Sequence, residues 1–170
     1  MRHPEDVAVS VSHFMSWEIP RGVDFLLDPS ASLVAGEGHG GHQVRQFMGR
    51  WDRHVRSWVD QTNIPSLVIR YEDMLTNGHK TFIKLAEFLK LPSDAELINQ
   101  ALTNTSIDRL KKLEDKGGGF KEKPDRCDRF FRSGKSGEGA EELSIEQRLR
   151  LYGDLGEVMN RFLYTGPDNE

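Results

Sequence analysis

The stretch that decides the fold is R-H-P-E-D-V-A-V-S, residues 2–10, close to the start of the chain. Pro4 fits the first turn of a helix, where its missing N–H costs nothing, and the two acidic residues after it suit the positive end of the helix dipole. The valines that follow alternate as in a strand, but the Pro-Glu-Asp opening favours a helix. A helix start attracts anions, and Arg2 before it and Ser10 about two turns into it supply a cation and a hydroxyl for one phosphate. The segment therefore predicts a phosphate-binding helix start, with an ordinary helix and a surface arginine as the alternative.

A second segment of interest follows a short apolar run. Leu67-Val68-Ile69 comes after Pro65 and is typical of a buried parallel strand. The next residues, R-Y-E-D at 70–73, leave the carboxyl end of that strand, where ligands gather in open α/β sheets. Tyr71 is therefore a candidate ligand-binding residue, and a packed structural tyrosine is the alternative.

The third segment is F-F-R-S-G-K-S-G, residues 130–137, which holds two cations, two hydroxyls and two glycines. Glycines let backbone N–H groups approach an anion closely, so the pattern predicts an anion-binding loop. A flexible basic loop is the alternative. The segment lacks the G-K-[ST] ending and the preceding strand of an ATP-hydrolysing phosphate loop, which argues against a kinase or NTPase.

Helical periodicity accounts for most of the remaining chain. It predicts helices over residues 43–61, 77–89, 95–102, 106–113 and 144–162, the last with a capping box formed by Ser144 and Gln147. Residues 17–42 show little periodicity and predict a long loop or lid with short helical pieces, and residues 120–139 predict an irregular basic loop. The tryptophans Trp17, Trp51 and Trp58 are interpreted as core and lid packing. The charged run Lys111-Lys112 and Glu114-Asp115-Lys116 is interpreted as a solvated helix end.

Composition narrows the functional class. The chain has 170 residues, 36% hydrophobic and 29% charged, as expected of one globular domain. The net charge of -4 argues against a nucleic-acid surface, and no run approaches the roughly 20 apolar residues of a membrane span. Cys127 is the single cysteine, so no internal disulfide forms, and the start of the chain lacks the apolar region of a signal peptide. We therefore expect a cytoplasmic protein without a membrane or nucleic-acid partner.

Histidines provide weaker candidates. His39 and His42 are separated by two glycines, with Glu37 as the nearest third ligand, which does not favour zinc, and no metal is predicted. His13 lies at a predicted helix end and is a candidate general base, with a capping or core histidine as the alternative.

Taken in this order, the segments resemble one family, the sulfotransferases that use 3′-phosphoadenosine-5′-phosphosulfate (PAPS). Arg2 and Ser10 fall on the family segment R-x-P-x-D-x-x-x-S, whose arginine and serine bind the 3′-phosphate of the donor. Tyr71 matches the family tyrosine after the central strand. Thr105-Ser106-Ile107 looks like the turn that lines the adenine pocket, and Phe131-Arg132-Ser133-Gly134 is similar to the late loop that closes on the 3′-phosphate. The resemblance runs from Arg2 to about Tyr164.

The resemblance implies an α/β fold. Residues 1–170 would form a single partial domain, the helix-rich C-terminal part of a P-loop-like three-layer parallel-sheet fold without its N-terminal strands. The sulfuryl-binding loop and the family's general-base histidine belong to that absent part, so no catalytic residue is assigned. The chain departs from the family at Ser133 in place of lysine, Gly139 in place of tryptophan and Ile107 in place of an aromatic residue. The family's short dimer motif is only partly matched, because Ala140 and Leu149 stand where lysine and glutamate are expected.

The implied function is sulfuryl transfer from PAPS to a small-molecule hydroxyl or amine acceptor, without a metal. This chain would supply mainly the part that binds the 3′-phosphate and adenine of PAPS or of its product PAP. A catalytically inactive fragment acting as an interaction or structural module is the alternative. In either case a homodimer or a partner is expected to cover the open sheet edge.

Overall fold

The computed structural model describes residues 1–33, 45–61, 63–118, 127 and 129–167, with backbone alone at 117 and 118. In chain order these ranges contain helices α1 (Pro4–Met15) and α2 (Ile19–Leu27), strands β1 (Ser32–Leu33) and β2 (Gln46–Phe47), helices α3 (Trp51–Val59), α4 (Tyr71–Thr76), α5 (Gly78–Phe88), α6 (Ala95–Asn104) and α7 (Ile107–Leu113), a π-helical turn (Glu114–Gly118), and helices α8 (Glu138–Glu142) and α9 (Ile145–Arg161).

The chain divides into two units. The Tyr71 unit consists of Met1–Arg2, Pro65–Lys123 and Arg129–Ser136, and the α1 unit consists of His3–Ile64, Pro124–Asp128 and Gly137–Glu170. This division splits the first sequence segment between Arg2 and His3 and puts residues 70–73 and 130–136 in the Tyr71 unit, so each unit is described by itself.

The α1 unit has an apolar core. Helix α1 packs against α2, α8 and α9, and α9 also packs against α2 and α3. The side chains that fill the space between these helices are almost fully buried and include Val9, Val23, Leu151, Leu155, Val158, Met159 and Tyr164. Burial of such side chains stabilises a fold by roughly 1.5–3 kcal/mol each, so this core is the main source of stability in the unit.

Helix α1 begins where the sequence predicts. Pro4 occupies its first turn, Glu5 and Asp6 follow, and the ring of His3 accepts a hydrogen bond from Glu5 N at 3.3 Å. The helix ends at Ser16, which has a left-handed conformation and whose N–H binds the carbonyl of His13. The prediction of a helix is confirmed. The alternating valines lie within this helix and not in a strand, because the proline and the capping bond favour helical dihedral angles at its start.

The predicted helix over residues 43–61 is wrong at its beginning. Helix α3 starts at Trp51, and in the described residues before it Gln46 and Phe47 form β2, which pairs antiparallel with β1. Gly49 has φ of 62° and its N–H, like that of Met48, binds the carbonyl of Ala31, so the backbone cannot continue a helix through this point. Residues 43 and 44 lie outside the described residues.

The three tryptophans differ in burial. Trp51 at the start of α3 is 8% exposed and joins the core, as predicted, whereas Trp58 on the same helix is 68% exposed and the prediction for it is wrong. Trp17 is partly buried and lies against the ring of Phe25. The segment 17–42 contains helix α2 in its first half, and residues 34–44 lie outside the described residues.

The Tyr71 unit is built from α4, α5, α6 and α7. Helices α4 and α6 each pack on α5, and α7 continues into the π-helical turn. Helices α5, α6 and α7 confirm the predictions over residues 77–89, 95–102 and 106–113, whereas α4 is not predicted by the sequence. Ser106 is the N-cap residue of α7, as expected, although its side chain makes no capping bond.

The predicted strand over residues 67–69 is wrong. Residues 65–70 are extended or irregular, and the three apolar side chains are only partly buried. A strand needs a hydrogen-bonded neighbour along its length. What lies beside this segment within the unit is Met1, whose amino group binds Ile69 O at 2.6 Å and whose carbonyl accepts from Tyr71 N at 2.8 Å. These two bonds have the pattern of a parallel ladder but span a single residue.

The last helix of the chain agrees more closely with its prediction from the sequence. The capping box of Ser144 and Gln147 is present, with Gln147 N 3.3 Å from Ser144 Oγ and Ser144 N 2.9 Å from Gln147 Oε1. Helix α9 then runs to Arg161, close to the predicted end. None of the helices among the described residues combines the length and the apolar character that a membrane-spanning helix needs.

Candidate functional site

Arg2 is the residue around which the candidate site of the Tyr71 unit is organised. Its guanidinium carbon lies 4.6 Å from the centre of the Tyr71 ring, a cation–π arrangement. One of its terminal nitrogens donates a hydrogen bond of 2.9 Å to the carbonyl of Lys135. One side chain from the first predicted segment thus contacts residues of the second and the third.

The backbone around Arg2 is fixed as well. The Met1 bonds to Ile69 and Tyr71 hold residues 1 and 2 against the start of α4. Partial burial lowers the pKa of the Met1 amino group, and the negative charge of Glu72 opposes that shift. Arg70 lies next to the same carboxylate, with Nε 3.9 Å from a Glu72 oxygen. The site therefore contains a mixed set of charges and not a purely basic patch.

The loop formed by Arg129–Ser136, which we call the anchored loop, is held at its beginning by two acids. The carboxylate of Glu114 accepts hydrogen bonds from Phe130 N at 2.7 Å and from Phe131 N at 3.2 Å. Asp115 forms an ion pair with Arg129. Asp115 and Lys116 are exposed, as the interpretation of a solvated helix end predicts, whereas Glu114 is partly buried. Both acids also bind a segment that lies 14 to 17 residues further along the chain, which the interpretation did not include.

The far end of the anchored loop is held by close packing. Gly134 has φ of 69°, and a Cβ at this position would lie 2.8–3.1 Å from side-chain atoms of Ile107. A side chain other than hydrogen would be strained there and would displace the loop. Together with the bond from Arg2 to Lys135, this contact brings the Ile107 turn and the anchored loop together.

The remaining predicted residues of the unit surround this contact. Thr105 and Ser106 are exposed, and the Thr105 hydroxyl donates to the carbonyl of Ala101 at 2.8 Å. Phe131, Arg132 and Ser133 are partly buried, and the Ser133 hydroxyl accepts from Lys135 N at 3.4 Å. The ring of Phe131 meets that of Phe130 edge-to-face at 5.1 Å. Of the ten predicted site residues, the Tyr71 unit thus contains all but Ser10.

Ser10 belongs to the α1 unit, where it is exposed on α1. At the end of the same helix, His13 Nε2 lies 3.3 Å from a Glu142 oxygen, and both side chains are partly exposed. This contact joins His13 to a side chain of another helix and is not a bond to the carbonyls at the end of α1. The candidacy of His13 as a base stays a prediction.

The start of α1 is also joined to α8 and α9 by charged groups that the sequence analysis did not single out. Asp6 is 2% exposed, and its two carboxylate oxygens accept from Gly137 N at 3.0 Å and Gly139 N at 2.8 Å. Arg148 Nε lies 3.2 Å from both carboxylate oxygens of Glu5. In the sequence, Glu5 and Asp6 indicated the start of a helix but gave no indication of these partners.

A cleft of about 410 Å³ lies within the α1 unit, lined by α2 and the residues on either side of it. Its charged side chains already have partners in the chain. Arg21 stacks on Trp17, Asp24 pairs with Arg150, Asp28 binds Ser30, and Arg45 donates to Ser32. The cleft therefore offers less to a ligand than its composition suggests.

Metal ligands do not converge in the described part of the chain. Among those residues, His, Cys, Asp and Glu side chains nowhere form a group of three or more that suits a metal ion. The pair His39 and His42, and Glu37 beside it, lie outside the described residues.

Comparison with known proteins gives one consistent family. Residues 1–162 match the sequence profile described as "Sulfotransferase domain". Human sulfotransferase 1E1 is 32% identical over 120 residues, covering 65% of this chain and 35% of the relative, and dog sulfotransferase 1B1 is 29% identical over 117 residues with the same coverage. The chain thus matches about a third of the length of these curated relatives.

A solved structure shares the fold. The crystal structure of mouse sulfotransferase SULT7A1 complexed with PAP matches with a TM-score of 0.71 at 21% identity, covering 94% of this chain and 57% of that one.

Proposed function

Because this chain belongs to the sulfotransferase domain family, we propose that it binds the nucleotide of PAPS and is the donor-binding part of a sulfotransferase. The acceptor would be a small molecule with a hydroxyl or amine group. The residues proposed to hold the nucleotide are Arg2, Ser10, Tyr71, Thr105, Ser106, Ile107, Phe131, Arg132, Ser133 and Gly134.

The arrangement of Arg2 is the observation that carries this proposal. Its guanidinium contacts Tyr71 and the anchored loop at once, so one residue of the first segment meets the second and third segments within the Tyr71 unit. Guanidinium groups bind phosphate through paired N–H donors, and glycine-containing loops add backbone N–H groups. The mouse relative complexed with PAP supports the same ligand class.

Positioning of the donor is the proposed contribution of these residues to catalysis. In sulfuryl transfer the bond from sulfur to the 5′-phosphate oxygen breaks, a bond from sulfur to the acceptor oxygen or nitrogen forms, and the acceptor loses its proton. Negative charge grows on the 5′-phosphate of the departing nucleotide, and the family resemblance assigns the groups that stabilise it to residues other than the ten proposed here. Fixing the nucleotide by its 3′-phosphate and adenine also orients the reacting group.

The departures from the family bear on the strength of binding. Ser133 provides a hydroxyl in place of a lysine, so Arg132 and Lys135 are the proposed cations of the loop. Ile107 offers no ring for adenine and instead contacts Gly134. We therefore propose that the adenine is held less by stacking than in relatives with an aromatic residue at this position.

The proposal extends to the complete protein. We propose that residues 1–170 form one partial domain, the C-terminal part of a P-loop-like three-layer fold; the match to 35% of the human relative's length fits a part of that fold without locating it. The lone cysteine, which is buried, is compatible with a cytoplasmic location. Residues 17–42 and 120–139 keep their proposed roles as acceptor-side lid and nucleotide-closing loop.

Calorimetric titration with adenosine 3′,5′-bisphosphate tests the proposal. We expect saturable binding that Arg2→Ala weakens about ten- to a hundredfold, the loss that a hydrogen bond to a charged group represents. The double variant Arg2→Ala/Arg132→Ala should bind no measurable nucleotide. Arg53→Ala is the matched control, because it removes the same charge from an exposed position outside the three segments.

The alternative, a catalytically inactive fragment that acts as an interaction module, predicts a different titration. Exposed leucines in the Tyr71 unit, such as Leu89 and Leu91, favour a partner or a second copy that covers them. A folded chain that binds no nucleotide and forms a stable dimer would support this alternative and would contradict the nucleotide-binding proposal.

A further inference from the structure

Glu114 makes an unusual contact for a residue next to a proposed phosphate site. Its two carboxylate oxygens accept from two consecutive backbone amides, at 2.7 Å from Phe130 N and at 3.2 Å from Phe131 N. Hydrogen bonds to a charged acceptor are about twice as strong as neutral ones. The beginning of the anchored loop is thus held by a charged side chain from another part of the chain, and Arg132 is the next residue.

The charge of Glu114 acts against phosphate binding. A carboxylate near Arg132 and Lys135 lowers the positive potential of the loop, and any phosphate that binds there is repelled by it. A residue whose direct electrostatic effect is unfavourable to the ligand can still favour binding if it fixes the geometry of the groups that bind.

The two ends of the loop show what Glu114 fixes. At the beginning are the Glu114 bonds and the ion pair of Asp115 with Arg129. At the other end are the Arg2 bond to Lys135 and the packing of Gly134 on Ile107. Arg132 and Ser133 lie between these attachments. The entropic cost of ordering this short segment is therefore included in the folding of the chain and does not reduce the free energy of binding.

We propose that Glu114 is a positioning residue that holds the backbone of Phe130 and Phe131 so that Arg132 and the following amides meet the 3′-phosphate. The inference rests on the proposed nucleotide site and adds a role that acts through Arg132. Glu114 itself does not touch the nucleotide.

Glu114→Gln separates positioning from charge. Glutamine keeps one acceptor oxygen but places an NH2 group against the second backbone donor, so one of the two bonds is lost without a change of size. We expect affinity for adenosine 3′,5′-bisphosphate to fall about five- to tenfold, the factor that corresponds to one lost bond. Affinity for adenosine 5′-phosphate, which lacks the 3′-phosphate, should stay the same. Removal of a merely repulsive charge predicts the opposite, tighter binding of the bisphosphate.

Two further variants complete the binding experiment. If Glu114 acts through Arg132, then Glu114→Gln should have no additional effect in an Arg132→Ala background, whereas independent sites are additive. Glu87→Gln is the matched control, because it removes an acid from an exposed position of α5 in the same unit and should leave both affinities unchanged. Additivity, unchanged or tighter bisphosphate binding, or equal loss of both nucleotides would overturn the inference.

Hydrogen exchange distinguishes a failure of this inference from a failure of the proposed function. The amides of Phe130 and Phe131 should exchange slowly in the unliganded full chain and faster in Glu114→Ala. If the two proteins exchange equally, Glu114 does not hold the loop, whatever the chain binds. If the amides are protected by Glu114 but the full chain binds no bisphosphate, the proposed nucleotide site is wrong and the inference falls with it.

Discussion

Leu151, Leu155 and Met159 in the α1 unit are 0–1% exposed, whereas Leu89, Leu91 and Leu97 in the Tyr71 unit are 52–56% exposed. The α1 unit is held by an apolar core between α1, α2, α3 and α9. In the Tyr71 unit, charged side chains bind backbone groups at specific places, as Arg2 does at Lys135 and Glu114 does at Phe130. The comparison separates the part that makes the chain stable from the part that shapes the proposed site.

Truncation of one leucine in each unit is the strongest test of this contrast. Leu151→Ala should lower the free energy of unfolding by about 3–4 kcal/mol, because it opens a cavity where a fully buried side chain stood. Leu97→Ala, on a half-exposed face of α6, should change it by about 0.5 kcal/mol or less. Urea denaturation followed by circular dichroism measures both. Similar losses of unfolding free energy from the two substitutions would mean that the Tyr71 unit also has an apolar core, and that this core contributes as much to stability as the core of the α1 unit.

Substitution of two helical glycines sharpens the contrast within the α1 unit. A Cβ on Gly139 would lie 2.4 Å from Glu5 Cβ and 2.8 Å from Asp6 N, so Gly139→Ala must move α8 away from α1 and stretch the Asp6 bonds. We expect a loss of about 2–3 kcal/mol in unfolding free energy.

Gly153 in α9 is the matched control for this substitution. A Cβ there meets nothing within 4 Å, so Gly153→Ala should stabilise the chain by about 0.5–1 kcal/mol through the better helix propensity of alanine. A neutral Gly139→Ala would show that α8 can shift at little cost, and that the glycine in place of the family's tryptophan has no packing reason.

Local sequence signals predicted much of the fold. Pro4 with its acidic neighbours and the Ser144–Gln147 pair located the starts of α1 and α9, because a helix start depends on residues within one turn of it. The run at 67–69 was misread because a strand depends on a neighbouring strand, and apolar residues alone do not provide one. The prediction for Trp58 was wrong for a similar reason, because helical periodicity predicts which residues share one face of the helix but not whether other residues cover that face.

The sequence predicted which segments belong to the candidate site but not the contacts between their residues. Nothing in the sequence relates Glu114 to Phe130 or Asp6 to Gly139, because these bonds join residues 16 and 133 positions apart. The family resemblance supplied Arg2 and Tyr71 as ligand-binding candidates, and their contact with each other comes from the fold. The role of all ten residues in nucleotide binding stays a prediction.

The smallest expected effect concerns a polar anchor in the unit that is otherwise held by its core. Asp28 follows α2 and accepts hydrogen bonds from the hydroxyl and the N–H of Ser30, both at 2.7 Å, which lower the pKa of its carboxyl. A carboxyl whose folded pKa is depressed stabilises the protein above its ordinary pKa, and this contribution is lost as the pH falls through the folded value. The stability difference between the native chain and Asp28→Asn should therefore be largest near neutral pH and shrink in acid, as urea midpoints across a pH series would measure. Ser30→Ala should raise the Asp28 midpoint in an NMR titration, because it removes the larger cause of the shift. A stability difference that stays constant down to strong acid would mean that this turn, unlike the Glu114 anchor, makes no charge-dependent contribution.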